Sequence, residues 1–303
     1  MKKAKRLHMD VAVHFAIGLI CMLAFLFAGC YVAEQVVQLN NLSVDGQVHQ
    51  VPIRVNDNDM SGHLRLTPVF ELMPKRNLDG VLQIGTNKEI SSLPQYDTTT
   101  NLRWNFPSYV AGLSADYGLS KIISFSAGGN YSQVDGKHFF EWDLGLGLCF
   151  DGENSGGRLE AGLQWENIWY RATFDKYEVD HYIFGGEDSV KYLYSFSSNG
   201  NRSNVNFYVN LTLNTKFHSS PVNGFVRIGY GSTSLVDNDV LSGQEQGDVS
   251  QSVSFISLTP GLFLDIGEWN RIVLGCQFIS PSSLNTSNPE WLISPMIQLD
   301  FTF

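Results

Sequence analysis

From about residue 62 to the end of the chain, apolar side chains recur at every second position. The clearest run is 205–214, where Val205, Phe207, Val209, Leu211 and Leu213 alternate with Asn206, Tyr208, Asn210, Thr212 and Asn214. A helix would scatter these residues around its axis, whereas a strand sorts them onto two faces. The same sorting separates Phe140, Trp142, Leu144, Leu146, Leu148 and Phe150 from Glu141, Asp143, Gly145, Gly147 and Cys149, and it returns over 109–117, 256–266 and 297–303. Turn signals divide the pattern into strands over 62–73, 100–118, 120–132, 137–151, 157–173, 202–217, 221–234, 250–266, 270–280 and 290–303. Runs of this length exceed the roughly 5–6 residues of a strand in an ordinary sheet. Two strands change phase, near Glu166-Asn167 and near Phe255-Ile256, where a bulge would restore the alternation.

Ahead of the strands the pattern is different. A basic start (Lys2, Lys3, Lys5, Arg6) is followed by an apolar run over 11–33, which reads as an export signal. The run closes on Leu26-Phe27-Ala28-Gly29-Cys30, which resembles the lipobox of bacterial lipoproteins, with Phe27 in place of the usual aliphatic residue. That resemblance implies cleavage after Gly29 and a lipid on Cys30. An uncleaved membrane helix over the same run is the alternative. Residues 30–61 are polar, carry the turn pairs Asn40-Asn41 and Asp45-Gly46, and show no sustained period. They read as a periplasmic tether between the signal (1–29) and the strand region (62–303).

The last strand, Ile297-Gln298-Leu299-Asp300-Phe301-Thr302-Phe303, resembles the C-terminal signature of bacterial outer-membrane barrels, with alternating apolar residues and a final aromatic. The expected fold is therefore all-β, an antiparallel transmembrane β-barrel. A sheet can cross hydrocarbon only when closed, because every backbone group must be paired. Short periplasmic turns alternating with longer outer loops give ten strands, an even number. Twelve is the alternative, if a hairpin within 174–201 or the stretch near Val81-Leu82-Gln83-Ile84 also crosses. This count puts the N-terminus in the periplasm and a lipid on Cys30 in the inner leaflet of a Gram-negative outer membrane.

Composition agrees: charged residues are 17%, aromatics 13%, and glycines number 28 in 303 residues. Few charges and many aromatics suit a lipid-facing sheet, and equally a large secreted β-sandwich. The net charge is −10, and the leader holds four of the 20 basic residues, so the body is more acidic still. An acidic body without a basic stripe sets nucleic acid aside as a partner. Outer-membrane lipid and another envelope protein remain as partners. Cys149 and Cys276 are too few for a disulfide framework, and on opposite faces of their strands they are not expected to pair.

Polar positions on the inward faces mark candidate lumen residues: Arg65, Glu71, Asp116, Asp143, Glu160, Arg227, Asp265 and Arg271. They suit a salt-bridged filling of the barrel, or the lining of a narrow pore. Outer segments 74–99, 174–201 and 235–249 are candidate contact surfaces, with Tyr177, Asp180, His181 and Tyr182 prominent in the second. No nucleophile elbow and no phosphate or dinucleotide loop occurs. His218-Ser219-Ser220 reads as a turn, and Asp175, Glu178, Asp180 and His181 as an acidic segment. Asp57, Asp59 and Ser61 copy the first half of a calcium loop, but Pro68 stands where its closing Glu belongs, so neither metal nor cofactor is expected. The reading is a lipid-anchored outer-membrane barrel with a structural, accessory or surface-binding role. The rivals are a narrow channel or transporter of small solutes, a membrane-embedded hydrolase, and a periplasmic lipoprotein built as a β-sandwich.

Overall fold

A computed structural model describes residues 31–47, 52–55, 60–74, 77–83, 99–182, 189–215, 220–236, 251–267, 270–281 and 291–303. Every regular element among them is a strand: Tyr31–Asp45 (β1), Leu64–Leu72 (β2), Asn77–Gln83 (β3), Thr99–Asn105 (β4), Tyr109–Gly118 (β5), Ile123–Val134 (β6) and Lys137–Asp151 (β7). These are followed by Ser155–Tyr182 (β8), Ser189–Thr215 (β9), Val222–Val236 (β10), Gln251–Ile266 (β11), Asn270–Pro281 (β12) and Leu292–Thr302 (β13).

Ten of the strands close on themselves in the order β8-β7-β6-β5-β2-β13-β12-β11-β10-β9, with β9 returning to β8. Each strand pairs antiparallel with the next around this closed barrel. The closing pair β13–β2 sets Gln298 against Val69 and Phe301 against Leu66, so the C-terminal strand seals against the first strand of the ring. The strand count is ten, and neither route to twelve is followed. The hairpin in 174–201 is a continuation of β8 and β9, which are 28 and 27 residues long. The stretch near Val81 is β3, which pairs with β4 outside the ring.

The strand expected over 100–118 is broken in two. Pro107 has no N–H to give a ladder, and β4 ends at Asn105 while β5 begins at Tyr109. Released from the ring, β4 pairs with β3 on one side and runs parallel to β1 on the other. Between β6 and β7, Asp135 and Gly136 have φ of 45° and 79°, the signature of a two-residue hairpin turn whose twist matches its strands.

The barrel is apolar outside and polar inside. Along β7, Trp142 is 61% exposed while its neighbour Glu141 is 2% exposed, and the alternation holds from Phe139 to Leu148. The larger of two compact units (39–87, 97–173 and 197–303) contains this barrel together with β3, β4 and the end of β1. The smaller takes 1–38, 88–96 and 174–196. Within the described part of the smaller unit, Phe174 stacks on Phe196 at 5.1 Å and Lys176 lies over the Tyr194 ring at 5.5 Å.

The phase changes at 166–168 and 255–256 are not bulges. The β7–β8 register is unbroken to Glu166, and β10–β11 is regular through Phe255 and Ile256. What changes is the interior, which turns apolar toward the end of the barrel that carries the long connections. There Leu42, Val44, Leu78, Leu102 and Trp104 of β1, β3 and β4 are at most 2% exposed. Trp104 stacks with Phe106 at 5.5 Å and meets Phe255 of β11 edge-on at 5.3 Å. An added Cβ at Gly46 would lie 3.1 Å from Ile168 of β8 and 3.8 Å from the Trp104 ring. β1, β3 and β4 thus form an apolar lid, and Ile168 and Phe255 point inward to meet it.

Candidate functional site

Residues 46–60 connect the lid to β2, and β2 starts at the other end of the barrel, beside the C-terminal Phe303. The described parts of this connection lie inside the ring. Gln47 donates to the carbonyl of Phe139 near the lid. The Ile53 N–H donates to Gln298 Oε1 at 3.0 Å, and the same amide's Nε2 donates back to the Ile53 carbonyl. Farther on, Arg65 Nη1 donates to the Val55 carbonyl at 3.1 Å. The segment read from the sequence as a periplasmic tether is, over these residues, a stopper in the lumen. Extended backbone sends successive side chains to opposite sides, and the two walls they meet differ.

Ile53 and Val55 face an apolar pocket of Val69, Phe225, Phe263, Val273 and Met296, contributed by β2, β10, β11, β12 and β13. Burying two such side chains stabilises the stopper by roughly 1.5–3 kcal/mol each. Arg54, on the opposite side, enters an acidic group on β5, β7 and β8. Its guanidinium donates to Glu160 Oε1 and to Ser114 Oγ (2.6 Å) and lies 3.6 Å from Asp143. Glu160 also accepts from Ser126 (3.1 Å) and Tyr208 (3.0 Å), and its second oxygen lies 3.2 Å from Arg158. Arg158 in turn holds Asp116 with two hydrogen bonds, at 2.7 and 3.0 Å. All of these charged side chains are at most 4% exposed. Charges so buried are tolerable only when each is answered by partners, and here one stopper residue supplies the answer for two carboxylates.

Room for this group comes from glycine. A Cβ on Gly162 would sit 2.2 Å from the Leu144 carbonyl oxygen and 2.5 Å from the Tyr208 ring, so the backbone itself would have to move. Gly162→Ala is therefore expected to destabilise the barrel by about 1–3 kcal/mol, read as a lower temperature for loss of the compact form in SDS gels.

The candidate lumen residues take the following places. Arg65, Glu71, Asp116, Asp143, Glu160, Arg227 and Arg271 are buried and face inward, and Asp265 is partly exposed near the short-turn end, where Arg271 donates to it at 2.7 Å. Arg54 and Glu166, with Glu141, belong to the same interior and were not among the residues singled out. Among the described buried residues, Glu71, Asp116, Glu141, Asp143, Glu160, Glu166 and Asp300 outnumber the strand-borne cations Arg65, Arg158, Lys176, Arg227 and Arg271, so this part of the interior is acidic without Arg54. Cys149 and Cys276 are free thiols.

The outer residues are brought together differently. Tyr177 and Asp180 stand on β8 rather than in a loop. Tyr177 meets Tyr192 edge-on at 5.8 Å, and Asp180 accepts from Ser189 at 3.3 Å. His181 and Tyr182 end the same strand, and their side chains lie outside the described residues, as do Cys30, Asp57, Asp59, His218, Ser219 and the segments 84–98 and 237–250. Among the described residues no three His, Cys, Asp or Glu side chains converge as metal ligands.

No family model and no curated protein matches this chain. Solved structures with similar folds include the outer membrane protease OmpT from Escherichia coli, at 10% identity over 83% of this chain and 99% of that one, with a TM-score of 0.45. They also include the translocator domain of the autotransporter NalP from Neisseria meningitidis (9% identity, 79% and 88% covered, TM-score 0.35). LpxR from Salmonella typhimurium is a third (10% identity, 79% and 100% covered, TM-score 0.31).

Proposed function

We propose that this chain is an outer-membrane β-barrel, closed by its own N-terminal segment, that works as a surface-binding or accessory protein through its long-loop end. The observation that carries the closed state is the stopper, fixed at Ile53 by Gln298 and at Arg54 by Glu160. The membrane location rests on the inverted barrel. Phe140, Trp142, Leu144, Leu146, Leu148 and Phe150 stand along one face of β7 at 42–61% exposure, part of a band too large and continuous for a wall facing water. Closure leaves no unpaired edge in the ring, as a span through hydrocarbon demands. A soluble β-sandwich would put these side chains between two sheets instead.

Orientation follows from the connections. Outer-membrane barrels keep short turns in the periplasm and longer loops outside; the turns after β5, β7 and β11 lie with Phe303 at one end, while at the other the two-residue β6–β7 turn stands among longer connections. The lid lies at the other, so the stretch of β1 from Leu39 to Asp45 belongs to the cell-surface side. In this proposal residues 39–45 of β1 lie on the cell-surface side, whereas strand counting puts the N-terminus in the periplasm with a lipid on Cys30 in the inner leaflet.

Labelling tests this. In a background with Cys149 and Cys276 changed to Ser, Asn41→Cys should react with a membrane-impermeant maleimide on intact cells, because Asn41 is exposed on the lid. Glu153→Cys, in the short β7–β8 turn, should react only after the outer membrane is permeabilised. Protection of position 41 in intact cells, with reaction at 153, would reverse the orientation. Reaction at both sites in the soluble periplasmic fraction would remove the membrane from the account.

A further inference from the structure

The short turns at the Phe303 end are not alike. After β7 the chain turns through Asp151, Gly152, Glu153 and Asn154, all exposed and two of them acidic, the composition of a turn that faces water. The turn between β5 and β6 is Leu119-Ser120-Lys121-Ile122, and it presents Leu119 at 59% and Ile122 at 61% exposure. These two do not stand alone. Tyr117 at the end of β5, Ile123 at the start of β6, and Leu148 and Phe150 of β7 are exposed as well. On this side of the barrel the apolar band does not stop where the strands end; it continues around the turn.

The turn also satisfies much of its own backbone. The Leu119 and Ser120 N–H groups both donate to the Ile123 carbonyl, at 2.9 and 3.0 Å. Ser120 Oγ accepts from the N–H groups of Ile122 and Ile123, at 3.2 and 3.0 Å. The Ile122 carbonyl accepts from the Cys149 N–H at 2.7 Å, which carries the β6–β7 contact one step past the Ile123–Leu148 pair, toward Phe150. A turn in water can leave such groups to solvent, whereas backbone at the edge of hydrocarbon must be satisfied within the protein. Here the Ser120 hydroxyl is turned back on the backbone, and the two large apolar side chains are the ones left exposed.

We infer that the β5–β6 turn is seated in the bilayer, with Leu119 and Ile122 among the upper acyl chains and glycerol groups of phospholipid, while the neighbouring β7–β8 turn stays in water. Phospholipid is the occupant because the turn is continuous with the lipid-facing band of β6 and β7. Its single charge has the fitting sign. Lys121 is exposed, and a lysine at a bilayer surface lays its stem along apolar surface and keeps its ammonium with the head groups. Asp151 and Glu153 of the next turn carry the opposite sign, which anionic head groups repel. An anchor at one point of the rim sets how deep that sector of the barrel sits. The inference rests on the membrane reading and deepens it.

The test puts a bimane label on Leu119→Cys, in the full chain with Cys149 and Cys276 changed to Ser, refolded into phosphatidylcholine vesicles. Leu146→Cys, in the lipid-facing row of β7, and Glu153→Cys, in the polar turn, are the references. The label at position 119 should lose most of its emission when the lipid is brominated near the head-group end of its acyl chains, and little to dissolved iodide. The label at 146 should be quenched by bromine placed deeper, and the label at 153 by iodide alone. Ile122→Cys takes the place of Leu119→Cys if the latter does not form the compact species in unheated SDS. A turn label that responds to iodide as position 153 does, with position 146 quenched by lipid, overturns the inference and leaves the membrane reading standing. Absence of lipid quenching at 146 as well removes both.

Discussion

Deletion of residues 31–60 should convert a non-conducting barrel into a narrow, cation-selective pore. The deletion removes β1 from the lid and the whole stopper but leaves every strand of the ring. Two features keep the intact barrel shut: the apolar group around Trp104, which loses Leu42 and Val44, and the Ile53–Val55 segment across the lumen. With Arg54 gone, the inward acids outnumber the inward arginines, and an acidic constriction admits cations in preference to anions. A ten-stranded ring is little wider than the eight-stranded kind that side chains fill, so the conductance should be small. Planar bilayers are the assay, with reversal potentials in a salt gradient giving selectivity and a compact species in unheated SDS verifying that the ring has formed. A wild-type protein that conducts steadily would contradict the closed state. A folded deletion variant that remains silent would show that the rest of the lid seals the barrel alone.

Arg54→Ala carries the largest expected loss of stability for a single substitution, about 3–5 kcal/mol. The figure follows from what stays behind: Glu160 and Asp143, both buried, with the stopper's guanidinium no longer between them. Glu160 keeps Arg158, Ser126 and Tyr208, so the loss should fall short of unfolding the ring. Adding Glu160→Gln should return part of the stability, since a neutral amide needs no counter-ion. A useful control is Arg103→Ala. Arg103 pairs with Asp79 at 3.8 Å with both side chains more than half exposed, and such pairs contribute less than about 1 kcal/mol. The measurement is the urea midpoint of tryptophan fluorescence for wild type and the three variants in one detergent. Equal midpoints for Arg54→Ala and Arg103→Ala would mean that the stopper does not sit in the acidic group.

The ring is legible in the sequence because each of its strands repeats one rule over many residues. Alternation locates β7 at 137–151 to the residue, and the resemblance of the last strand to barrel termini suits the β13–β2 closure. The inward charges on those strands follow from the same parity, which is why Asp116, Asp143, Glu160 and Arg227 are named by it. The stopper offers no such repetition. Ile53, Arg54 and Val55 alternate for only three residues, and their partners lie as far as 245 positions away in the chain. A tether and a stopper look alike at that length.

Two signals in the sequence point to the lid, and each admits another reading. The apolar positions change parity at 166–168 and at 255–256, and a bulge accounts for a parity change if the interior is assumed polar throughout. The register is continuous, so it is the interior that changes, from Glu166 to Ile168 on β8 and from Thr259 to Phe255 on β11. Pro107 is the other signal. A proline inside a supposed ring strand argues for a break, and the break releases β4 to pair with β1 and β3.

The central claim is that the segment ahead of the first ring strand occupies the lumen. A cross-link tests it most directly. An added Cβ at Gly275 of β12 would lie 3.3 Å from Ile53 Cδ1, within range of a short thiol-reactive bridge between the two positions. In a chain carrying Ile53→Cys and Gly275→Cys, with Cys149 and Cys276 changed to Ser, treatment of membranes with such a bridge should give a faster band on boiled gels. That band should be absent from each single variant. Failure of the pair to cross-link, with the thiol introduced at position 53 open to a bulky maleimide in folded protein, would return residues 46–60 to the periplasm as a tether.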